Sequence, residues 1–254
     1  MKYLYLIISA LIFMSCGSEP TNIKVNDIII SDTLKNVGAH AAGVAVTLRY
    51  PEIESGNTQL DEILRSAVKD FIEAPMYEND VYSKPQDMID TVFEAYRSLV
   101  EEFPDYRMGW SFKRDAKVVY KSKNVITFDF TEEQFTGGAH PIIKKVFLSF
   151  DTKRASEISL DDIVDTSSVF FMELAEAKFR EFQGIAPDAD LLAEDFFVYE
   201  AGRFSLSESF GIIGEDLIFY YNPYDISPYY KGSAKFMINK KDLGKNLKKP
   251  ELLN

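Results

Sequence analysis

Two histidines, His40 and His140, and one cysteine, Cys16, are all that 254 residues offer in imidazole and thiol chemistry. Neither histidine has a second His at the spacing of a helix-borne metal pair. A closed zinc site would therefore draw most of its ligands from carboxylates, which is uncommon; no metal and no other cofactor is expected. No G-x-S-x-G elbow presents a serine nucleophile. The remaining reactive pattern is adjacent acids, Glu132-Glu133 and Asp161-Asp162. A glycosidase needs two carboxylates held roughly 5–10 Å apart across a cleft, whereas sequence-adjacent acids more commonly cap helices or coat a surface. The residues point to binding rather than catalysis, and no catalytic residue is assigned.

Two stretches could form a binding surface. Thr136-Gly137-Gly138-Ala139-His140-Pro141 places two glycines, free to adopt positive φ, between apolar-alternating runs, and a proline where the next strand can start without a donor. One reading is a hairpin connection that His140 hydrogen-bonds shut; the other is a rigid loop whose glycine N–H groups form one wall of a recognition site. Asn222 to Gly232 carries Tyr224, Tyr229 and Tyr230 after Tyr221, stiffened by Pro223 and Pro228. Tyrosine suits a place with one apolar and one wet side, although the rings could equally pack beneath the loop. The candidate binding residues are Gly137, Gly138, His140, Tyr224, Tyr229 and Tyr230.

The first residues supply an address. One positive charge at Lys2, about ten apolar residues and a small residue before Cys16 form a secretory signal, too short to span a membrane, which takes roughly 20 apolar residues. The lone cysteine directly after it resembles the lipobox of bacterial lipoproteins, so residues 1–15 read as signal peptide, Cys16 as the lipidated anchor and 16–22 as a tether. The expected location is a bacterial cell envelope, on the periplasmic face or the cell surface, with membrane contact through the N-terminal lipid only. A net charge of −12 argues against nucleic acid and would steer a basic partner toward the chain.

Positioning these stretches requires an α+β chain. Alternation predicts strands near 24–32 and 43–50. Leu60, Ile63, Leu64, Ala67, Val68, Phe71 and Ile72 share one face of a helix over 58–74, capped by Thr58. A second helix over 84–102 follows Ser83, with Pro85 in its first turn. From Trp110 the period becomes two, giving a three-strand antiparallel meander through Tyr120, Phe130 and Phe150. A helix over 167–182 ends at Gly184. Strands at 196–200, 203–213 and 216–221, the last two joined by Gly214-Glu215, precede a final strand at 234–238 and a basic, polar tail from Lys240. The fold class is α+β, antiparallel sheets packed by amphipathic helices, in two consecutive subdomains, 23–110 and 111–254.

Several motifs occur in order: Leu48-Arg49-Tyr50-Pro51-Glu52-Ile53, Ile126-Thr127-Phe128-Asp129-Phe130, Thr136 to Pro141, Leu160-Asp161-Asp162-Ile163, and Tyr224-Asp225-Ile226-Ser227-Pro228-Tyr229 before Gly232. Together they resemble the paired domains of unknown function in the outer portion of RsiV, a lysozyme-sensing anti-sigma factor, also found beside the catalytic domain of the peptidoglycan deacetylase PdaC. The resemblance covers nearly the whole chain after the tether. It implies a non-catalytic extracytoplasmic binding domain, with lysozyme or another basic protein, or peptidoglycan, as ligand. RsiV-like proteins add a sigma-binding segment and a membrane span, and PdaC-like proteins a deacetylase domain; here the expectation is the binding portion alone, held by lipid. The alternative is a cell-wall polymer hydrolase, or a deacetylase-associated protein, using the paired carboxylates.

Overall fold

The computed structural model describes residues 23–254 apart from Tyr77 and Asn79, so the expected signal, tether and lipid anchor at Cys16 lie outside the described residues. Strands β1 (Lys24–Leu34) and β2 (Val44–Glu54) form a hairpin, then α1 (Thr58–Ile72) and α2 (Pro85–Glu102) carry the chain to β3 (Trp110–Lys121). Strands β4 (Val125–Phe135), β5 (Ile142–Asp151) and the short β6 (Ser156–Glu157) complete a six-stranded sheet in sequential order. Every neighbouring pair is antiparallel except β2 and β3. Parallel neighbours need a long crossover, and the helix pair is that crossover, which makes the sheet mixed. The change of period at residue 110 is the chain re-entering this same sheet, because Val44 of β2 lies opposite Trp110 of β3.

Both helices cover one face. Leu60, Leu64, Val68 and Ile72 of α1, with Met88, Ile89, Val92, Phe93, Tyr96 and Val100 of α2, are buried in one cluster with Val46, Leu48, Phe112, Phe128 and Phe130 of the sheet. Asn57 rather than Thr58 caps α1, its side chain accepting from the N–H groups of Gln59 and Leu60. At α2 the Asp87 carboxylate accepts from Ser83 N–H and Oγ at 2.9 and 2.7 Å.

After α3 (Leu160–Ile163), α4 (Val169–Gln183) packs Phe171, Ala175 and Phe179 onto a second, three-stranded antiparallel sheet of β7 (Phe210–Ile213), β8 (Asp216–Tyr221) and β9 (Ala234–Asn239). Two expected strands are not formed as read. Residues 198–200 are a 3-10 turn between Phe197 and Ala201, both left-handed, and the strand expected from Arg203 begins only at Phe210. Aromatic rings around Phe179 hold residues 196–204 without a strand partner. The C-terminal residues fold back rather than trail as a polar tail: α5 (Lys240–Leu243) follows β9, and Leu252 and Leu253 are buried in the second core.

The second sheet docks on the face of the first that the helices leave open. Thr127 Oγ1 donates to the Ile212 carbonyl at 2.7 Å and Ile212 N–H donates to Ser149 Oγ at 3.1 Å, so two side chains of the large sheet bond the backbone of β7. The contact is close because residue 211 has no side chain: a Cβ there would meet Phe147 Cβ at 2.9 Å and Thr127 Cγ2 at 3.1 Å. Gly211→Val is expected to cost about 1–3 kcal/mol by overpacking, seen as a lower urea midpoint; an unchanged midpoint would show that the sheets separate freely.

Candidate functional site

The two candidate stretches meet. The His140 ring lies on the Tyr229 ring with centroids 3.4 Å apart and planes within 9°. Tyr224 adjoins both rings, its hydroxyl 3.3 Å from His140 Nε2 and its ring 5.5 Å from that of Tyr229. His140 Nδ1 lies 3.2 Å from the Pro141 carbonyl. A carbonyl only accepts, so Nδ1 is the donor there, and in the tautomer protonated at Nδ1 alone Nε2 accepts from the Tyr224 hydroxyl.

Each side of this contact is held from beneath. Gly137 and Gly138 have φ of 107° and 108°, where side chains are strained. The Tyr106 hydroxyl donates to the Thr136 carbonyl at 3.2 Å and accepts from Trp110 Nε1 at 2.9 Å, fixing the glycine turn to the start of β3. Opposite, Asn222 bonds the outer edge of β5 twice, accepting from Lys145 N–H at 2.6 Å and donating to its carbonyl at 3.2 Å. Asp225 turns the loop by accepting from Asn222 N–H at 2.6 Å. Tyr224, between them, has φ of 75°. A bulky residue held left-handed costs free energy that the surrounding structure must offset, and such residues cluster at functional sites.

A hollow of about 600 Å³ is walled by Ser205, Ser207, Glu208, Tyr221, Asn222 and Asp225 among others, and so shares the Asn222–Asp225 turn that carries Tyr224. Its volume falls within the roughly 300–1,000 Å³ of small-ligand sites, and its lining is more polar than is usual for them. Not every candidate converges here. Tyr230 turns away and its hydroxyl pairs with Asp195, while a Cβ added at Gly138 would meet nothing within 4 Å. Asn222, Asp225, Tyr106 and Lys145, which hold the site together, were not among the candidates that the sequence offers. The Asn-x-x-Asp spacing of a side-chain-closed turn was the available signal for the first two; the last two carry none.

Three of the four paired acids are otherwise engaged. Glu132 and Glu133 are neighbours in β4 and so point to opposite faces; Glu132 is the ion-pair partner of buried Arg114 at 2.7 Å. Asp161 accepts from Thr166 and Lys248, and Asp162 from Lys249, Ser159 and Arg154. Thr166 chiefly, then Lys248, lowers the pKa of Asp161. Hydrogen bonds from Lys249 and then Ser159 hold Asp162 far below its ordinary 3.8. A carboxyl so depressed is no general acid near neutrality. Its contribution to stability is complete above the ordinary carboxylate pKa and is lost as pH falls through the lower folded value. Asp162→Asn is thus expected to flatten the acid limb of stability against pH below about 4; a limb identical to that of the parent chain would disprove the linkage. Among the described residues, no group of three or more His, Cys, Asp or Glu is placed to hold a metal ion, and no helix is long and apolar enough to cross a membrane.

The architecture is that of the DUF3298 family's solved structures. A member from Bacteroides fragilis matches with a TM-score of 0.73 at 19% identity, covering 90% of this chain and 95% of the other. A member from Pseudomonas aeruginosa matches at 0.62 and 18% with the same coverage. At sequence level the chain carries two family segments: residues 40–143 match the model described as Deacetylase PdaC, and residues 161–241 the one described as a protein of unknown function, DUF3298. It is a distant homologue of the Bacillus subtilis peptidoglycan-N-acetylmuramic acid deacetylase PdaC, 28% identical over 144 residues. That alignment covers 55% of this chain and 30% of the deacetylase. The His140 turn closes the first family segment and the tyrosine loop lies in the second, so the ring stack joins the two.

Proposed function

We propose that this chain is a non-catalytic binding module of a bacterial cell envelope, anchored by lipid at Cys16, that takes cell-wall glycan at the His140–Tyr224–Tyr229 surface. The observation that carries the reading is the convergence of both family segments on one aromatic stack, whose Tyr224 sits on the turn that walls a hydroxyl- and carboxylate-lined hollow. A sugar ring has an apolar face and a rim of hydroxyls; stacked rings accept the first and Ser, Asn and Asp groups the second. The homologue named for its action on peptidoglycan supports the same place of work.

A basic protein such as lysozyme is the second reading, favoured by the net charge of −12 and by the resemblance to the outer portion of RsiV. The exposed acids Glu208 and Asp225 at the hollow suit a cationic surface. Co-sedimentation with insoluble peptidoglycan and capture on immobilised lysozyme, each at low and high salt, separates the two. Glycan binding through rings and hydroxyls is expected to survive salt, whereas capture of a basic protein is expected to weaken with it. Tyr229→Ala is expected to weaken retention about tenfold, the loss of roughly 1.4 kcal/mol. Retention of neither ligand, or retention indifferent to Tyr229→Ala, would overturn the reading. Release of acetate or new fragments from peptidoglycan would move it to the enzymatic alternative.

A further inference from the structure

The two long edges of the six-stranded sheet are treated differently. Along β5 the outer backbone groups are taken up by Asn222 at Lys145, by Ser209 Oγ, 3.2 Å from Phe147 N–H, and by β6 at Asp151. Along β1 nothing comparable occurs. Its 11 residues pair with β2 in unbroken register from Lys24 to Leu34, without proline or bulge. Among the described residues, the one backbone group of β1 bonded outside that ladder is Thr33 N–H, held at 2.7 Å by the carboxylate of Asp32 beside it. Natural sheets block such edges with proline, bulges or mid-strand lysines. β1 instead places Ile28, Ile29 and Ile30 at its middle, with Ile29 62% exposed.

We propose that β1 pairs antiparallel with β1 of a second copy of this chain, about a two-fold axis through Ile29, joining two six-stranded sheets edge to edge. The strand's own sequence is complementary to itself in that register. Ile29 faces Ile29 and Ile28 faces Ile30, so the apolar residues meet one another. Asn26 faces Asp32 and Asp27 faces Ser31, so no like charges stand directly opposite, the arrangement that destabilises cross-strand pairs. Lys24 stands diagonal to Asp32 of the other copy. The charge of Asp27 is already met within the chain by Arg49. Ile28 also lines a hollow of about 260 Å³ between the sheet edge and α1, with Ile53, Val68 and Ile72 in its wall, and the second copy would adjoin that opening. An isologous edge contact closes after two copies, since each chain has one such edge free.

Sedimentation equilibrium of the full chain with Cys16→Ser tests this. A monomer–dimer equilibrium is expected that strengthens with salt, because net −12 on each copy opposes contact and salt screens it; this is the reverse of the salt response expected for a basic-protein ligand. Ile29→Lys sets two ammonium groups face to face at an exposed position, and is expected to raise the dimer dissociation constant about tenfold or more while leaving the thermal midpoint of dilute monomer unchanged. For the register, Ile29→Cys in that background is expected to form a disulfide-linked dimer under mild oxidation. Ser31→Cys is not, because its two thiols would sit four residues out of register, on the order of 13 Å apart, and Cα atoms more than about 7 Å apart are not bridged. A monomer at every attainable concentration, a dimer indifferent to Ile29→Lys, or cross-linking at Ser31 as fast as at Ile29 would each overturn the proposal.

Discussion

Arg114→Met is expected to lower the stability of the six-stranded sheet and its helices by about 3–5 kcal/mol, the range for removing one partner of a buried ion pair. Arg114 is 2% exposed on the helix-covered face of β3. Its Nε donates to Glu132 at 2.7 Å, and Nη1 donates to the carbonyls of Ile72 and Ala74 at 2.9 and 2.7 Å. The last carbonyls of a helix have no partner within it and carry its negative end. One guanidinium therefore closes α1, ties its exit to the sheet and neutralises a carboxylate. Methionine fills the volume and leaves all three acceptors unpaired. Arg114→Lys is expected to recover only part of the loss, because an ammonium lacks the planar fork that reaches several acceptors at once. Urea unfolding followed by Trp110 fluorescence measures it. Against a typical total of roughly 5–15 kcal/mol the shift is large, and one below about 1 kcal/mol would put the pair on the footing of a surface salt bridge.

Phe179→Ala is expected to cost a similar ~3–5 kcal/mol, but in the second subdomain. Phe179 is fully buried, with the rings of Phe196, Phe197, Phe204 and Tyr221 at 5.3, 5.1, 5.8 and 5.8 Å. Edge-on ring contacts of this kind add to area burial. The residue sets more than stability. Phe197 is left-handed, and Tyr221, whose hydroxyl donates to the Ser205 carbonyl at 2.8 Å, begins the turn that leads to Tyr224. Burial pushes the Tyr221 phenol well above its ordinary value, so this hydroxyl stays a donor. Loss of Phe179 is expected to erase near-ultraviolet circular dichroism from the ring cluster and to weaken ligand retention at the tyrosine loop. Phe179→Leu, which keeps most of the volume, is expected to cost under about 1.5 kcal/mol. Equal effects of the two substitutions would mean that the cavity is not what matters.

Much of the fold was legible in local pattern. The stripes of α1 and α2 announced their buried faces because apolar residues recur at three and four, and Gly184 stopped α4 where a left-handed cap was needed. Residues 196–209 misled because their aromatic residues imitate strand alternation, yet those rings are held by Phe179 from another element rather than by a ladder. The parallel pairing of β2 with β3 was invisible for the same reason: hydrophobic period reports which face is buried and not which strand lies alongside.

The candidate site divides in the same way. By itself the sequence determined that Gly137 and Gly138 would turn the chain, and it singled out His140 and the tyrosines as candidates for recognition and the paired acids as weak candidates for catalysis. Those conclusions rest on residue type and on neighbours a few positions apart. Only the tertiary structure decided that His140 lies on Tyr229, 89 positions along the chain, and that Tyr230 does not join them. That contact depends on β7 crossing the open face of the large sheet and on Asn222 fastening the loop to β5, which are encounters between elements far apart in sequence. No local free energy in the chain encodes them; the packing of two sheets does.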